Sequence, residues 1–237
     1  MKLTKHISMI TTLALAGALV SGSAQAVVTN LFDYGFNVDG AVSLPISGDP
    51  IPPGVNIGGF DDITGLGSID VTITGAGAHS FDAFFDHEID EAINTYFNEV
   101  GSSTGAAAAG QSWEIDEPGF IDGDIFENFQ ASALDNGIGT SIYGDTLFPD
   151  DVSMAMGWDF NLALDEEALI SLVLSDVMPN GGFFLTHTDP DSQSSIYLSS
   201  SLDISGGGGP PAVPEPGMLW LLGIGLAGFG VARRRKA

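Results

Sequence analysis

Carboxylates dominate the chemistry this chain can offer. Asp116, Glu117, Asp122 and Asp124 crowd one short segment, and Asp189 and Asp191 flank Pro190 in another. Hard cations take clustered oxygen ligands, so Asp116, Asp122, Asp124, Asp189 and Asp191 are candidate Ca2+ ligands. Residues 116–127 span twelve positions with an acid at each end. The third, fifth and sixth positions hold Pro118, Phe120 and Ile121, so this is not an EF-hand loop.

Other motifs are weaker. Residues 101–105 read GSSTG, a match to the G-x-S-x-G turn of serine hydrolases, with His187 downstream. The match sits inside GSSTGAAAAG, a low-complexity stretch expected to be a surface loop. Residues 87–91 read HEIDE, with Glu91 where a zinc peptidase helix needs its second histidine. A solvated acidic helix start is the simpler reading. His79 and His187 have no ligand spacing. Glu114 with Glu127 is the type of carboxylate pair that hydrolyses glycosides, but sequence does not give their separation. There is no cysteine, hence no disulfide, thiol nucleophile or thiolate metal site. The expectation is a chain that is not an enzyme.

Charge excludes whole classes of partner. The six basic residues are Lys2, Lys5, Arg233, Arg234, Arg235 and Lys236. Of 31 acidic residues, Glu215 alone falls outside 27–213. The intervening 30 carboxylates therefore have no Lys or Arg to pair with. Such a surface cannot neutralise phosphates, so nucleic acid is excluded, as is a basic patch for anionic lipid. Self-repulsion destabilises a compact state of this charge, and bound or condensed cations offset it.

The elements that position these groups read as strands. Val152, Met154, Met156, Trp158, Phe160 and Leu162 alternate with small or polar residues, the period of a half-buried strand. Residues 168–174 read as a central strand paired with it in a hairpin. Further strands are expected over 69–73, 183–186 and 195–204, with short ones near 28–36 and 79–86. Two segments have helical spacing: Ile89, Ile93, Tyr96, Phe97 and Val100, and then Ile125, Phe129 and Ala133. The fold class is mainly β: an antiparallel two-sheet β-sandwich with one or two short helical insertions. The alternative is a mixed α+β domain.

The two ends read as addresses. Residues 1–26 pair a positive start at Lys2 and Lys5 with an apolar run. They close on Ala24 and Ala26, the small residues a signal peptidase requires, which places cleavage after Ala26. The globular acidic domain is expected over 27–204, with a Gly/Pro linker over 205–212. Residues 217–232 are 16 uncharged, mostly apolar residues, about 24 Å as a helix. A basic tail at 233–236 follows, and positive-inside logic leaves it cytoplasmic with the domain exported.

Val213, Pro214, Glu215 and Pro216, then the apolar segment, then Arg233, Arg234 and Arg235, closely resemble a PEP-CTERM sorting signal. The resemblance covers residues 213–237 and says nothing of the domain before them. It implies a Gram-negative exported protein recognised by exosortase, a membrane-embedded peptidase that cuts near the Pro-Glu-Pro motif. Signal peptidase and exosortase are then the processing partners. The inner membrane is a transient anchor, and the cell surface or extracellular matrix is the destination. Such systems accompany exopolysaccharide and biofilm production. The expected function is that of a non-catalytic surface or matrix protein. A Ca2+-dependent carbohydrate-binding module using Trp113, Tyr143 or Tyr197 is one alternative, and an exported hydrolase is another.

Overall fold

A computed structural model describes residues 29–90, 92–93, 98–118, 123–139 and 151–207. The strands are β1 (Thr29–Val38), β2 (Ala41–Ser43), β3 (Val55–Asp61), β4 (Leu66–Thr74), β5 (Gly77–Ile89) and β6 (Val100–Thr104). They continue with β7 (Gln111–Asp116), β8 (Gly137–Ile138), β9 (Ser153–Leu162), β10 (Glu166–Ser175), β11 (Phe184–Asp189) and β12 (Ser194–Gly206). Among the described residues, one helix, α1 (Ile125–Ala131), lies between β7 and β8, and one 3-10 turn occupies Pro45–Ser47.

Two six-stranded sheets result, ordered β2-β1-β5-β9-β7-β8 and β3-β4-β10-β12-β11-β6. The short β7–β8 pair is parallel, and the other pairings are antiparallel. The sheets face each other across one core, which includes Phe36, Val71, Phe81, Met154, Ile170 and Leu198. The mainly β sandwich expected from alternation is the observed architecture.

The first sheet is buried on both faces. On β9, Met154, Met156, Trp158 and Phe160 point into the sandwich, while Ala155 points the other way. There it meets α1 in a second cluster with Phe84, Ile125, Phe129 and Leu134. Gly35 makes that contact possible, because a Cβ would stand 2.8 Å from the Phe129 ring and from Leu44. Asn37 holds the helix end. Its Nδ2 donates to Phe129 O at 2.9 Å, Gln130 O at 3.0 Å and Ser132 Oγ at 3.0 Å. A helix leaves its last carbonyls without intrahelical donors, and Asn37 supplies a donor there beside Ser132 N, which also reaches Phe129 O at 3.3 Å.

Four expectations are corrected. β9 and β10 do not pair in a hairpin: β9 lies between β5 and β7, whereas β10 lies between β4 and β12 in the opposite sheet. Period-2 alternation identifies the buried face and not the neighbouring strand. Residues 101–104 form strand β6 rather than a loop. Ile89 and Val100 are strand residues, not positions on a helix; Tyr96 and Phe97 lie outside the described residues. Ser205 and Gly206 belong to β12, paired with Glu167 and Glu166, so the ordered domain runs past residue 204.

Candidate metal centre

β7 supplies most of the site. Its odd positions face the core: Ile115 is buried there, Trp113 packs against it, and Gln111 Nε2 donates to Ser200 Oγ at 3.1 Å. The even positions, Ser112, Glu114 and Asp116, therefore face outward, on the side where α1 sits. Both Glu114 oxygens accept from Asn128 Nδ2 of α1, at 3.1 and 3.2 Å, and Oε2 also accepts from Asp135 N at 3.1 Å. Asp124 is the N-cap residue of α1, and its side chain makes no capping bond. Its backbone N–H donates instead to Asp116 Oδ2 at 3.0 Å. The strand's carboxylates are thus tied to N–H donors of the helix and of the residues that flank it.

Glu114, Asp116 and Asp124 each place an oxygen within 4.8 Å of the others. Glu114 and Asp116 are buried, and Asp124 is exposed. Asp116 Oδ1 is buried without a hydrogen-bond partner. Gly139 lies against it: a Cβ on Gly139 would collide with that oxygen. Gly139 N donates to Ile115 O at 2.7 Å, which fixes the chain there just after β8. Burial, reinforced by Asp135 and Asp124, pushes Glu114 up to about 7 against the pull of the Asn128 and Asp135 hydrogen bonds. Burial, with the charges of Asp124 and Glu117, pushes Asp116 up to about 6.

Of the expected Ca2+ ligands, the fold brings Asp116 and Asp124 together and adds Glu114. Asp122 lies outside the described residues. Asp189 is committed elsewhere: it is fully buried and closes the β11–β12 turn, accepting from Asp191 N and Ser192 N at 2.9 Å each. Asp191 Oδ2 accepts from Asn98 Nδ2 at 3.1 Å. Among the described residues, these two form no three-ligand group with any other acid or histidine. Glu114 was legible as a ligand only through strand periodicity, because residues two apart share a face.

The catalytic motifs do not assemble as their sequences suggested. His87 and Glu88 lie on β5, so strand geometry sends them to opposite faces. His87 Nε2 is 3.1 Å from Gly65 O, which can only accept, so that nitrogen carries the proton. Burial lowers His87 to about 3 and keeps it neutral. Ser102 and Ser103 are exposed on β6, not on a turn into a helix. His187 is fully buried, with Nε2 2.7 Å from Glu99 Oε2. Glu127 is exposed on α1, whereas Glu114 is buried on β7. His79 bridges two turns, with Nδ1 2.9 Å from Asp39 Oδ2 and Nε2 2.9 Å from Gly75 O.

The processing residues Ala24, Ala26, Val213, Pro214, Glu215, Pro216, Arg233, Arg234 and Arg235 lie outside the described residues. So does the apolar segment 217–232. Among the described residues, no helix is long and apolar enough to cross a membrane. The family description of the PEP-CTERM protein-sorting motif matches residues 212–236. Searches of curated proteins and of solved structures return no match. The chain therefore carries a PEP-CTERM signal, which implies an exported protein targeted to exosortase.

Proposed function

We propose that this chain is a non-catalytic protein of the cell surface or exopolysaccharide matrix of a Gram-negative biofilm, delivered there by exosortase. The sorting motif at 212–236 carries the proposal, following a β-sandwich that has no lysine or arginine. The order of parts suits delivery. A signal peptide starts export, the segment 217–232 holds the chain in the inner membrane, and exosortase releases the domain outward.

The commitments of individual side chains support a passive role. His187 is held by Glu99 rather than by a serine, and Glu114 is engaged by Asn128 and Asp135. Trp113 packs on Phe183 with ring centres 5.6 Å apart, and Tyr197 meets Phe184 edge-on at 5.9 Å. Tyr143 lies outside the described residues; the engagement of the other two rings in packing favours a structural role over a stacking platform for sugars.

Replacing Pro214, Glu215 and Pro216 with alanine tests the proposal. The native chain is expected in the surface and matrix fraction, co-isolating with exopolysaccharide. The variant is expected in the inner membrane, with residues 217–237 still attached by mass spectrometry. Equal distribution of the two chains would refute exosortase delivery. A native chain that is processed but recovered only as free secreted protein would refute the matrix assignment.

A further inference from the structure

We infer that Glu114, Asp116 and Asp124 form a specific Ca2+ site at the junction of β7 and α1. The inference goes beyond delivery to the surface and does not depend on processing. Two observations carry it. Three carboxylate oxygens lie within 4.8 Å of one another, a spacing an ion bound at about 2.3–2.6 Å from each closes with little movement. Independently, Asp116 is only 5% exposed, and its Oδ1 has neither a donor nor access to water. A buried carboxylate oxygen without a partner carries the full cost of desolvation unless something positive reaches it.

Among the described residues, no lysine or arginine side chain supplies that positive charge. Lys and Arg occur only at positions 2, 5 and 233–236. No histidine joins this group of acids among the described residues. The donor hydrogen bonds already present, from Asn128, Asp135 and the backbones of Asp124 and Glu117, orient the carboxylates without neutralising them. Their arrangement resembles an outer shell that fixes ligands in place. Exposed Asp124 gives the ion a path from solvent and leaves room for water to complete its coordination.

An all-oxygen set disfavours soft metals, and three carboxylates on one ion favour Ca2+ over Mg2+, which usually takes one or two and keeps its water. Ca2+ accepts six to eight ligands flexibly, whereas Mg2+ demands a near-ideal octahedron and sheds water reluctantly. The consequence is structural. An ion here would cross-link the strand to the only α-helix among the described residues, and so brace the outer face of the first sheet.

Calorimetric titration of the full chain in detergent with CaCl2, at 0.15 M NaCl, tests the site. One saturable event is expected, at least tenfold weaker in Asp116→Asn and Asp124→Asn. Asp116→Asn is isosteric, and Asp124 is exposed, so circular dichroism should show both variants folded. Asp189→Asn should bind like the native chain. Tb3+ luminescence excited through Trp113, next in sequence to Glu114, should be quenched by Ca2+ in the native chain and absent in Asp116→Asn. Without Ca2+, Asp116→Asn should melt no lower than the native chain, because it removes a buried charge. The site is rejected if Ca2+ gives no saturable heat, if either variant binds like the native chain, or if Mg2+ binds equally well.

Discussion

His187 of β11 and Glu99, just before β6, meet at 2.7 Å with both side chains fully buried. The same glutamate accepts from Val152 N at 3.0 Å, at the entrance to β9. One carboxylate, just before the edge strand β6, therefore meets β11 of the second sheet and the entrance to β9 in the first. Removing Glu99 leaves Val152 N and the buried imidazole without that acceptor, and a buried polar group left without a partner typically costs about 1–3 kcal/mol. Glu99→Ala should lose about that much stability in urea unfolding. Glu99→Gln should lose less, since its amide oxygen still accepts from Val152. Equal losses in the two variants would show that charge, and not the Val152 contact, is what matters.

Stability should rise as pH falls from about 7 to about 5, opposite to ordinary acid denaturation. Burial raises Asp82 to about 6 and Asp151 to about 7, and raises Asp86 well above the usual carboxylate range. Each takes up a proton in the folded state at a pH where the unfolded chain stays ionised. Folding then binds protons, so acid favours it until the unfolded carboxylates also titrate. His87 works against this, because it stays neutral when folded and charges when unfolded below about 6.5. Three carboxylates outweigh one histidine across the window. Urea midpoints in EDTA at pH 7, 6 and 5 check the sign, and a falling series would contradict it.

Much of the fold was legible because burial writes a period into the sequence. Val152 to Leu162 announced β9, and Ile125 with Phe129 announced α1. β3 was not legible: Gly58 and Gly59 interrupt it, and its register shifts between Asn56 and Gly59. β7 was missed because its outward face carries Glu114 and Asp116, which look like loop residues until the strand is known. Acid density found Asp116 and Asp124, but the same criterion selected Asp189, which turn formation had already claimed. The Glu99–His187 pair joins residues far apart in the chain, and no local pattern encodes it.

Trp158 reports on the inward face of β9. It is 6% exposed, and its Nε1 donates to Ser200 Oγ at 2.9 Å across the sandwich. Trp158→Ala should cost about 3–5 kcal/mol through the cavity it opens. Trp158→Phe should cost less, since it keeps most of the volume and loses the hydrogen bond to the opposite sheet. A loss under about 0.5 kcal/mol for alanine, the range of surface substitutions, would mean the ring is not part of the core.

The exported domain should resist trypsin even when unfolded. Trypsin needs a cationic side chain for its acidic specificity pocket. Residues 6–232 contain no Lys or Arg. In urea, the full chain should lose only pieces of its two basic ends. The native mature protein, if processed after Ala26 and near Pro216, should keep its intact mass. A protease with an apolar pocket should fragment both at Phe, Trp and Tyr, which shows that the chain is open to cleavage. Because the resistance owes nothing to folding, it reads the processing alone. A mature chain that still shortens with trypsin would retain Arg233–Lys236 or Lys2–Lys5, and exosortase or signal-peptide processing would be wrong at that end.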